Sequence, residues 1–350
     1  MAPNLLSSIN GFFTRLDRLR FDIGLSERKE LSVPTLSVGN ISFGGTGKTP
    51  FCLWLCQYLA EANYSPALLT RGYGREDSGE LVVVHDGRRL RANTLQAGDE
   101  PVLLGKRLGN VPIIACADRY KGGRFVLKKA QVNAVVLDDG MQHYRLARQG
   151  ELVLLDSTKD YFGAEGEGLL LREPLSALGR AHLIVLTRCQ NNPQSLRLMK
   201  KLKKQFPAIP VVRTAFTHEG LRQVGTDVAA EPTKLPKKAF LAAGVAAPAS
   251  FEKLIKEQGI EVVGRSWSKD HARFTPQDVR GWMQRRKALG ADVVIVTEKD
   301  AVKLAEFKKL PKNLFYCPIR LEFLTSKDEE LTKRVITARL KIKPISGYLK

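Results

Sequence analysis

The stretch Gly44-Gly45-Thr46-Gly47-Lys48-Thr49 decides the fold. A short apolar strand, Thr35-Leu36-Ser37-Val38-Gly39, precedes it, and an apolar segment from Phe51 to Leu59 follows. Strand, glycine-rich loop and helix in that order are the setting of a phosphate-binding loop. Glycines let the backbone wrap a phosphate so that successive N–H groups point at its oxygens. Lys48 supplies a point charge for the terminal phosphates, and the Thr49 hydroxyl can ligate magnesium. A tight turn before an ordinary helix would use the same glycines but would not call for Lys-Thr at the helix start. The loop therefore predicts use of a nucleoside triphosphate. The general pattern has glycine at its first position, where this chain has Ser42.

Outward from the loop, short apolar runs alternate with helical patterns. Ala67–Thr70, Val111–Ala115, Ala134–Asp138, Leu152–Asp156 and Leu183–Thr187 read as buried strands. Helices fit Thr49–Ala62, Pro101–Leu108, Tyr120–Ala130 and Gln194–Phe206. This alternation predicts a P-loop NTPase-like α/β fold, a mainly parallel sheet with helices on both faces. Val82–Val84 and Leu90-Arg91 around Asp86-Gly87 read as an inserted hairpin. The pattern restarts with a strand at Ala239–Ala243, a helix at Pro248–Gln258 and a strand at Val293–Thr297. The expected division is a core over residues 1–212 and a smaller α/β domain over 213–350, with a polar connection near 213–238.

The chain has 350 residues, enough for two domains and a sizeable core. Its net charge of +20, from 56 Lys and Arg against 36 Asp and Glu, favours an anionic partner. Nucleic acid, an acidic membrane and a phosphorylated substrate all qualify, and general solubility is the plainer reading. Five cysteines, an odd number with no C-x-x-C pair, predict buried thiols in a reducing compartment. No run reaches the ~18 apolar residues of a membrane-spanning helix, and the first residues lack a signal-peptide core. Leu5, Ile9, Phe12, Phe13, Leu16 and Leu19 recur at helical spacing with Arg15, Arg18 and Arg20 among them. Such a stripe suits a helix lying in a membrane interface or one packed on the protein's own core.

Other residues carry chemistry. Asp138-Asp139-Gly140 ends an apolar strand, where P-loop proteins keep a carboxylate for magnesium. Asp-Gly is also a common turn pair. Gln142 and His143 follow within reach of the same crevice. Gly98-Asp99-Glu100-Pro101 starts a helix and would serve as a cap. Beside a phosphate loop, Asp99 also suits a carboxylate that orients an attacking hydroxyl. Arg119 and Arg172 stand near strand or loop ends, where arginine grips phosphate oxygens bidentately or forms a surface ion pair. Asp270-His271 precedes a helix, and Thr297-Glu298-Lys299-Asp300 joins a strand to one.

Taken together, these pieces resemble one family, the tetraacyldisaccharide 4'-kinases, which are the lipid A 4'-kinases of Gram-negative bacteria. The stretches that carry the resemblance are Ser37–Pro50, Leu69–Gly74, Gly98–Pro101, Asp118-Arg119 and Leu137–His143. Leu171–Pro174, Asp270-His271 with Phe274, and Thr297–Asp300 follow in family order. They span most of the chain, and Ser42 departs from the general loop pattern but not from this family's.

The resemblance implies transfer of the ATP γ-phosphate to the 4'-hydroxyl of a tetraacylated glucosamine disaccharide 1-phosphate, giving lipid IVA. It implies ATP and Mg2+ as cofactors and a peripheral, monotopic monomer on the cytoplasmic face of the bacterial inner membrane. The implied partners are that lipid and an anionic membrane surface, not nucleic acid, which gives the positive charge a rationale. By motif match Asp99 would activate or orient the hydroxyl, and His271 would be its partner. Ser42, Phe43, Gly44, Gly45, Thr46, Gly47, Lys48, Thr49, Arg119 and Arg172 would hold the nucleotide. Thr49, Asp138, Gln142 and Glu173 would hold the metal. Two rivals fit less well. A partner-binding P-loop switch would carry a lysine where this chain has Phe43. A nucleic-acid-dependent ATPase would carry a recognisable binding module.

Overall fold

Along one strand, Leu152 and Leu154 face one side of a sheet and Val153 and Leu155 the other, and all four are buried. Such two-sided burial is what a parallel strand covered by helices on both faces requires. The structure, a computed structural model, describes residues 20–21, 23–76, 79–162, 169–230, 235–245 and 248–341. The proposed amphipathic segment from Leu5 to Leu19 lies outside the described residues.

In chain order the strands are β1 (Thr35–Gly39), β2 (Pro66–Thr70), β3 (Val82–Asp86), β4 (Pro112–Ala115), β5 (Ala134–Asp138), β6 (Gly150–Asp156) and β7 (Leu183–Thr187). They continue as β8 (Val211–His218), β9 (Arg222–Gln223), β10 (Lys238–Gly244), β11 (Glu261–Ser268), β12 (Val293–Thr297), β13 (Leu314–Cys317) and β14 (Ile319–Phe323). The α-helices are α1 (Lys48–Glu61), α2 (Thr94–Ala97), α3 (Asp99–Leu108), α4 (Arg119–Lys129) and α5 (Pro193–Gln205). After them come α6 (Pro248–Lys256), α7 (Pro276–Ala288), α8 (Glu298–Leu304) and α9 (Ser326–Leu340).

The first sheet has nine strands in the order β14-β8-β7-β6-β1-β5-β2-β4-β3. All pairs are parallel except β3 with β4 and β14 with β8 at the two edges. Helices α1, α3 and α9 cover one face, contributing Phe51, Leu55, Leu104 and Ile336 to one cluster. On the other face α4 contributes Val126 and α5 contributes Leu198 and Leu202. The second sheet runs β11-β10-β12-β13-β9. Phe240 and Ala242 of β10 meet α7 and α8, while Leu241 meets α6. The expected α/β class, with a second smaller α/β unit, is what the chain forms.

Two expectations change. The hairpin around Asp86-Gly87 has one full arm: β3 pairs antiparallel with β4, and only His85 bridges to Leu90 on the return. The division at 212/213 also differs from sheet membership. Strand β8 belongs to the first sheet, and β14 returns to pair beside it, followed by α9 on the same core. The second sheet is thus inserted between two neighbouring strands of the first.

Candidate active site

Both sheets turn their carboxyl ends toward one cleft of about 1470 Å³. From the first sheet come the loops after β1, β2 and β5, and from the second the segments after β11 and β12. Ligands of open α/β sheets sit at such strand ends, beside the point where the strand order reverses. Here that point is β1, flanked by β5 and β6.

The phosphate loop leaves β1 and enters α1 through Gly47, whose φ of 88° lies in the left-handed region. A Cβ there would also collide with the ring of Phe216, so both conformation and space demand glycine. No side chain caps α1. Its first N–H groups are therefore left for an anion, as the macrodipole favours. Asn40 braces the loop from behind, donating to the Ser42 carbonyl at 2.8 Å and to Thr46 Oγ1 at 3.1 Å. Thr187 Oγ1 donates to the Thr46 carbonyl at 3.0 Å. Lys48 Nζ stands 3.4 Å from Asp139 and 3.5 Å from Asn40 Oδ1.

At the end of β5, Asp138 is buried and accepts from Thr70 Oγ1 at 3.1 Å. Burial, then the charges of Glu100 and Asp139, push its carboxyl up to about 6. Asp139 follows with φ 52° and accepts at both oxygens from a single Arg172 nitrogen, Nη1, at 2.8 and 3.0 Å, besides the Lys48 contact. Burial alone would raise Asp139, but Lys48 and Arg172 outweigh it and hold the group below its ordinary value. The Gln142 amide nitrogen donates to the Asn40 carbonyl at 2.9 Å and to Glu173 at 2.8 Å. Glu173 is buried and its other oxygen takes Arg180 at 2.7 Å. It is therefore absent from the cleft wall and reaches the site only through Gln142. Arg119 is buried and lines the cleft, with burial lowering its proton affinity against the pull of Asp138 and Asp139. Burial and Arg119 also push His143 down to about 4, so it is neutral at physiological pH.

Across the cleft, Asp99 opens α3. Gly98, at φ 93°, precedes it, and a Cβ there would meet the Tyr73 carbonyl. Asp99 is 5% exposed, and both its oxygens lie 3.1 Å from His271 Nδ1. Desolvation raises the Asp99 carboxyl, but the His271 hydrogen bond and the charges of Lys299, His271 and Lys303 bring it below its ordinary value. The Asp99 hydrogen bond in turn raises His271, against burial and Lys299. Tyr73 packs its ring 5.0 Å from the imidazole.

The profile of the tetraacyldisaccharide-1-P 4'-kinase family matches residues 3–340. The chain belongs to this family. The tetraacyldisaccharide 4'-kinase of Desulfotalea psychrophila is 33% identical over 340 residues, covering 94% of each chain. That of Geobacter sulfurreducens is 33% identical over 304 residues, covering 85% of this chain and 82% of the relative. A crystal structure of LpxK from Aquifex aeolicus in complex with ATP is 28% identical. It superposes with a TM-score of 0.73, covering 96% of this chain and 97% of that one.

In this tetraacyldisaccharide-1-P 4'-kinase family member the sequence reading passed over several groups. Arg107 of α3 joins Glu298 of α8 at 2.9 Å and Glu219 at 2.7 Å, tying the two sheets together. Arg188 donates to the Gly45 carbonyl and pairs with Asp156 at 2.7 Å, stacking over Phe216. Their partners are distant in sequence, and no local pattern marks them. All five cysteines are free and buried, as expected. No group of three or more His, Cys, Asp or Glu side chains able to hold a metal occurs among the described residues.

Proposed function

We propose that the chain transfers the γ-phosphate of ATP to the 4'-hydroxyl of tetraacyldisaccharide 1-phosphate, forming lipid IVA in lipid A synthesis. One observation carries the reading. A phosphate loop on one wall of the cleft faces His271 on the other, with the buried Asp99 carboxylate hydrogen-bonded to its ring. The loop suits the donor, the pair suits an alcohol acceptor, and family membership supplies the acceptor's identity.

The N–H groups of Gly44 to Thr49 cradle the β- and γ-phosphates, and Lys48, held over the loop by Asp139, places its charge beside them. Arg119 and Arg172 add positive charge on the nucleotide's side of the cleft. The donor set fits Mg2+. Thr49 and Asp138 bring hard oxygens to the cleft, and Asp138 is a buried carboxyl in need of a countercharge. Gln142, its amide nitrogen engaged elsewhere, offers its carbonyl oxygen, and Glu173 orients it. When bound, Mg2+ neutralises charge on the phosphates. Asp99, kept ionised, and His271, the member of the pair that lines the cleft, together activate the 4'-hydroxyl.

The chain acts as a peripheral monomer on the cytoplasmic face of the bacterial inner membrane. Its +20 charge and the amphipathic stripe from Leu5 to Leu19 support attraction to anionic lipid. No helix among the described residues is long and apolar enough to cross a membrane. Purified protein incubated with γ-labelled ATP and the lipid disaccharide monophosphate tests the reaction. Label is expected in the lipid, and label that never reaches it would sink the kinase reading.

A further inference from the structure

Behind the turn that follows β5 lies an ion pair that takes no part in lining the cleft. Arg148 Nε stands 3.0 Å from Glu151 Oε2, with the two side chains 12% and 5% exposed. Ser37 of β1, the register neighbour of Glu151 on β6, donates its Oγ proton to the other carboxylate oxygen at 2.6 Å. Arg148 Nη1 carries two protons. It reaches two backbone carbonyls, that of Gly140 at 2.9 Å and that of His143 at 2.7 Å. One guanidinium thus ties both ends of a single turn to a carboxylate seated in the sheet.

The turn so held is not a relaxed one. Asp139 has φ 52°, in the left-handed region that is uncommon for residues with a Cβ. Such a conformation persists where its surroundings over-determine it. Gly140 follows, and a Cβ there would stand 2.6 Å from Ser37 Oγ, so the turn packs directly on the Ser37–Glu151 contact. The Gly140 N–H donates to the Val38 carbonyl at 3.1 Å, and its carbonyl accepts from the His143 N–H at 2.9 Å as well as from Arg148. In this conformation Asp139 meets Lys48 at 3.4 Å and Arg172 at 2.8 Å.

We propose that Arg148, seated on Glu151, is a positioning residue that holds this turn so that Asp139 keeps Lys48 over the phosphate loop, and thereby sets the affinity for nucleotide. The inference rests on the kinase reading for the identity of the nucleotide but not for its geometry. Without Nη1, the Gly140 and His143 carbonyls lose a donor, and the left-handed backbone at Asp139 loses a contact that opposes its relaxation. Glu151 cannot hold the turn itself, because a carboxylate only accepts and would repel both carbonyl oxygens. Removing Arg148 alone would also strand the Glu151 charge, which by itself destabilises a fold. The informative variant therefore removes both charges, Arg148→Met with Glu151→Gln. The new amide oxygen can still accept from Ser37, so the variant lacks the guanidinium without burying a lone charge.

The test is calorimetric binding of Mg2+-ATP to the full-length protein without lipid. In the double variant and in Arg148→Ala, Kd is expected to rise about tenfold or more, the scale of a lost charge-assisted hydrogen bond, with one site still present per chain. A merely structural role predicts fewer sites at the wild-type Kd, and that result overturns the proposal. So does a double variant whose Kd stays within about twofold of wild type. If Arg148→Ala fails to fold, the double variant decides. Guanidinium, well below the concentrations that unfold proteins, is expected to restore the affinity of Arg148→Ala by filling the space beside Glu151. Restoration by the same concentration of sodium chloride overturns the role of the N–H donors. Binding is read without turnover, so a protein that binds ATP but never phosphorylates lipid would fail the kinase reading and leave this one standing.

Discussion

His271 Nδ1 lies 3.1 Å from both carboxylate oxygens of Asp99, across 172 positions of chain and across the junction of two sheets. Asp99 is at the same time the first residue of α3, where its Oδ1 accepts from the Glu100 N–H at 2.9 Å. A carboxylate at a helix start is stabilised by the local dipole. Gly98, not Asp99, holds the cap position of this helix, and the histidine turns an ordinary first-turn carboxylate into a poised group.

Asp99→Asn keeps the size of the side chain and removes its basicity. Lipid phosphorylation is expected to fall by roughly 10²-fold or more, in the range general base catalysis supplies. ATP affinity should be near wild type, because Asp99 stands across the cleft from the phosphate loop. Near-normal turnover would reduce Asp99 to a first-turn carboxylate at the helix start.

Lys48→Ala removes the only lysine of the loop and releases Asp139 from one of its two cations. Catalysis should be weakened severely or lost, and nucleotide binding by calorimetry should weaken with it. An unaffected rate would mean the loop is not the ATP site.

Arg107→Met should loosen the junction between the sheets by leaving Glu298 without its cation. Breaking a buried pair by removing one partner costs about 3–5 kcal/mol. Because Arg107 is 22% exposed, about 2 kcal/mol is the expected loss here. Burial already raises the Glu298 carboxyl despite Arg107. A raised carboxyl binds its proton more tightly in the folded chain, so stability falls as pH rises through its folded pKa. Without Arg107 that pKa rises further. The deficit of the variant against wild type should therefore be larger at pH 8 than at pH 5, read from urea midpoints at both. An equal deficit at the two pH values would remove Glu298 from the explanation.

The amphipathic stripe is tested by a double variant, Phe12→Ser with Phe13→Ser. Co-sedimentation with liposomes containing anionic lipid should drop, since each buried aromatic contributes about 1.5–3 kcal/mol. Unchanged binding would assign those rings to the protein's own core.

Much of the donor side was legible in the sequence because it is local. One strand, six loop residues and one helix suffice, and β1 and α1 form within a residue of where their patterns place them. The burial of β5 follows from four apolar residues before Asp138. What stayed hidden depends on long-range pairing. Val211–His218 shows no signal for which sheet it joins, and the sheet it joins is fixed by β7 and β14 rather than by its own residues. Glu173 stands beside Arg172 in sequence, yet one grips Asp139 at the cleft and the other is buried against Arg180. Neighbours in an irregular loop point where tertiary contacts send them, and no periodicity announces it.

The pairing of β8 with β14 brings His218 and Ile319 side by side, with Glu219 N–H donating to the Pro318 carbonyl at 2.9 Å. Directly opposed residues of an antiparallel pair have Cα atoms about 4.5–5.5 Å apart. The entire second sheet therefore hangs from one doorway only as wide as a tight turn. Joining the chain across that doorway with a two-residue turn would leave the nine-stranded sheet closed and its phosphate loop intact. The excised hundred or so residues would take His271 with them, leaving Asp99 on the nucleotide-binding module without its partner by a single cut and splice.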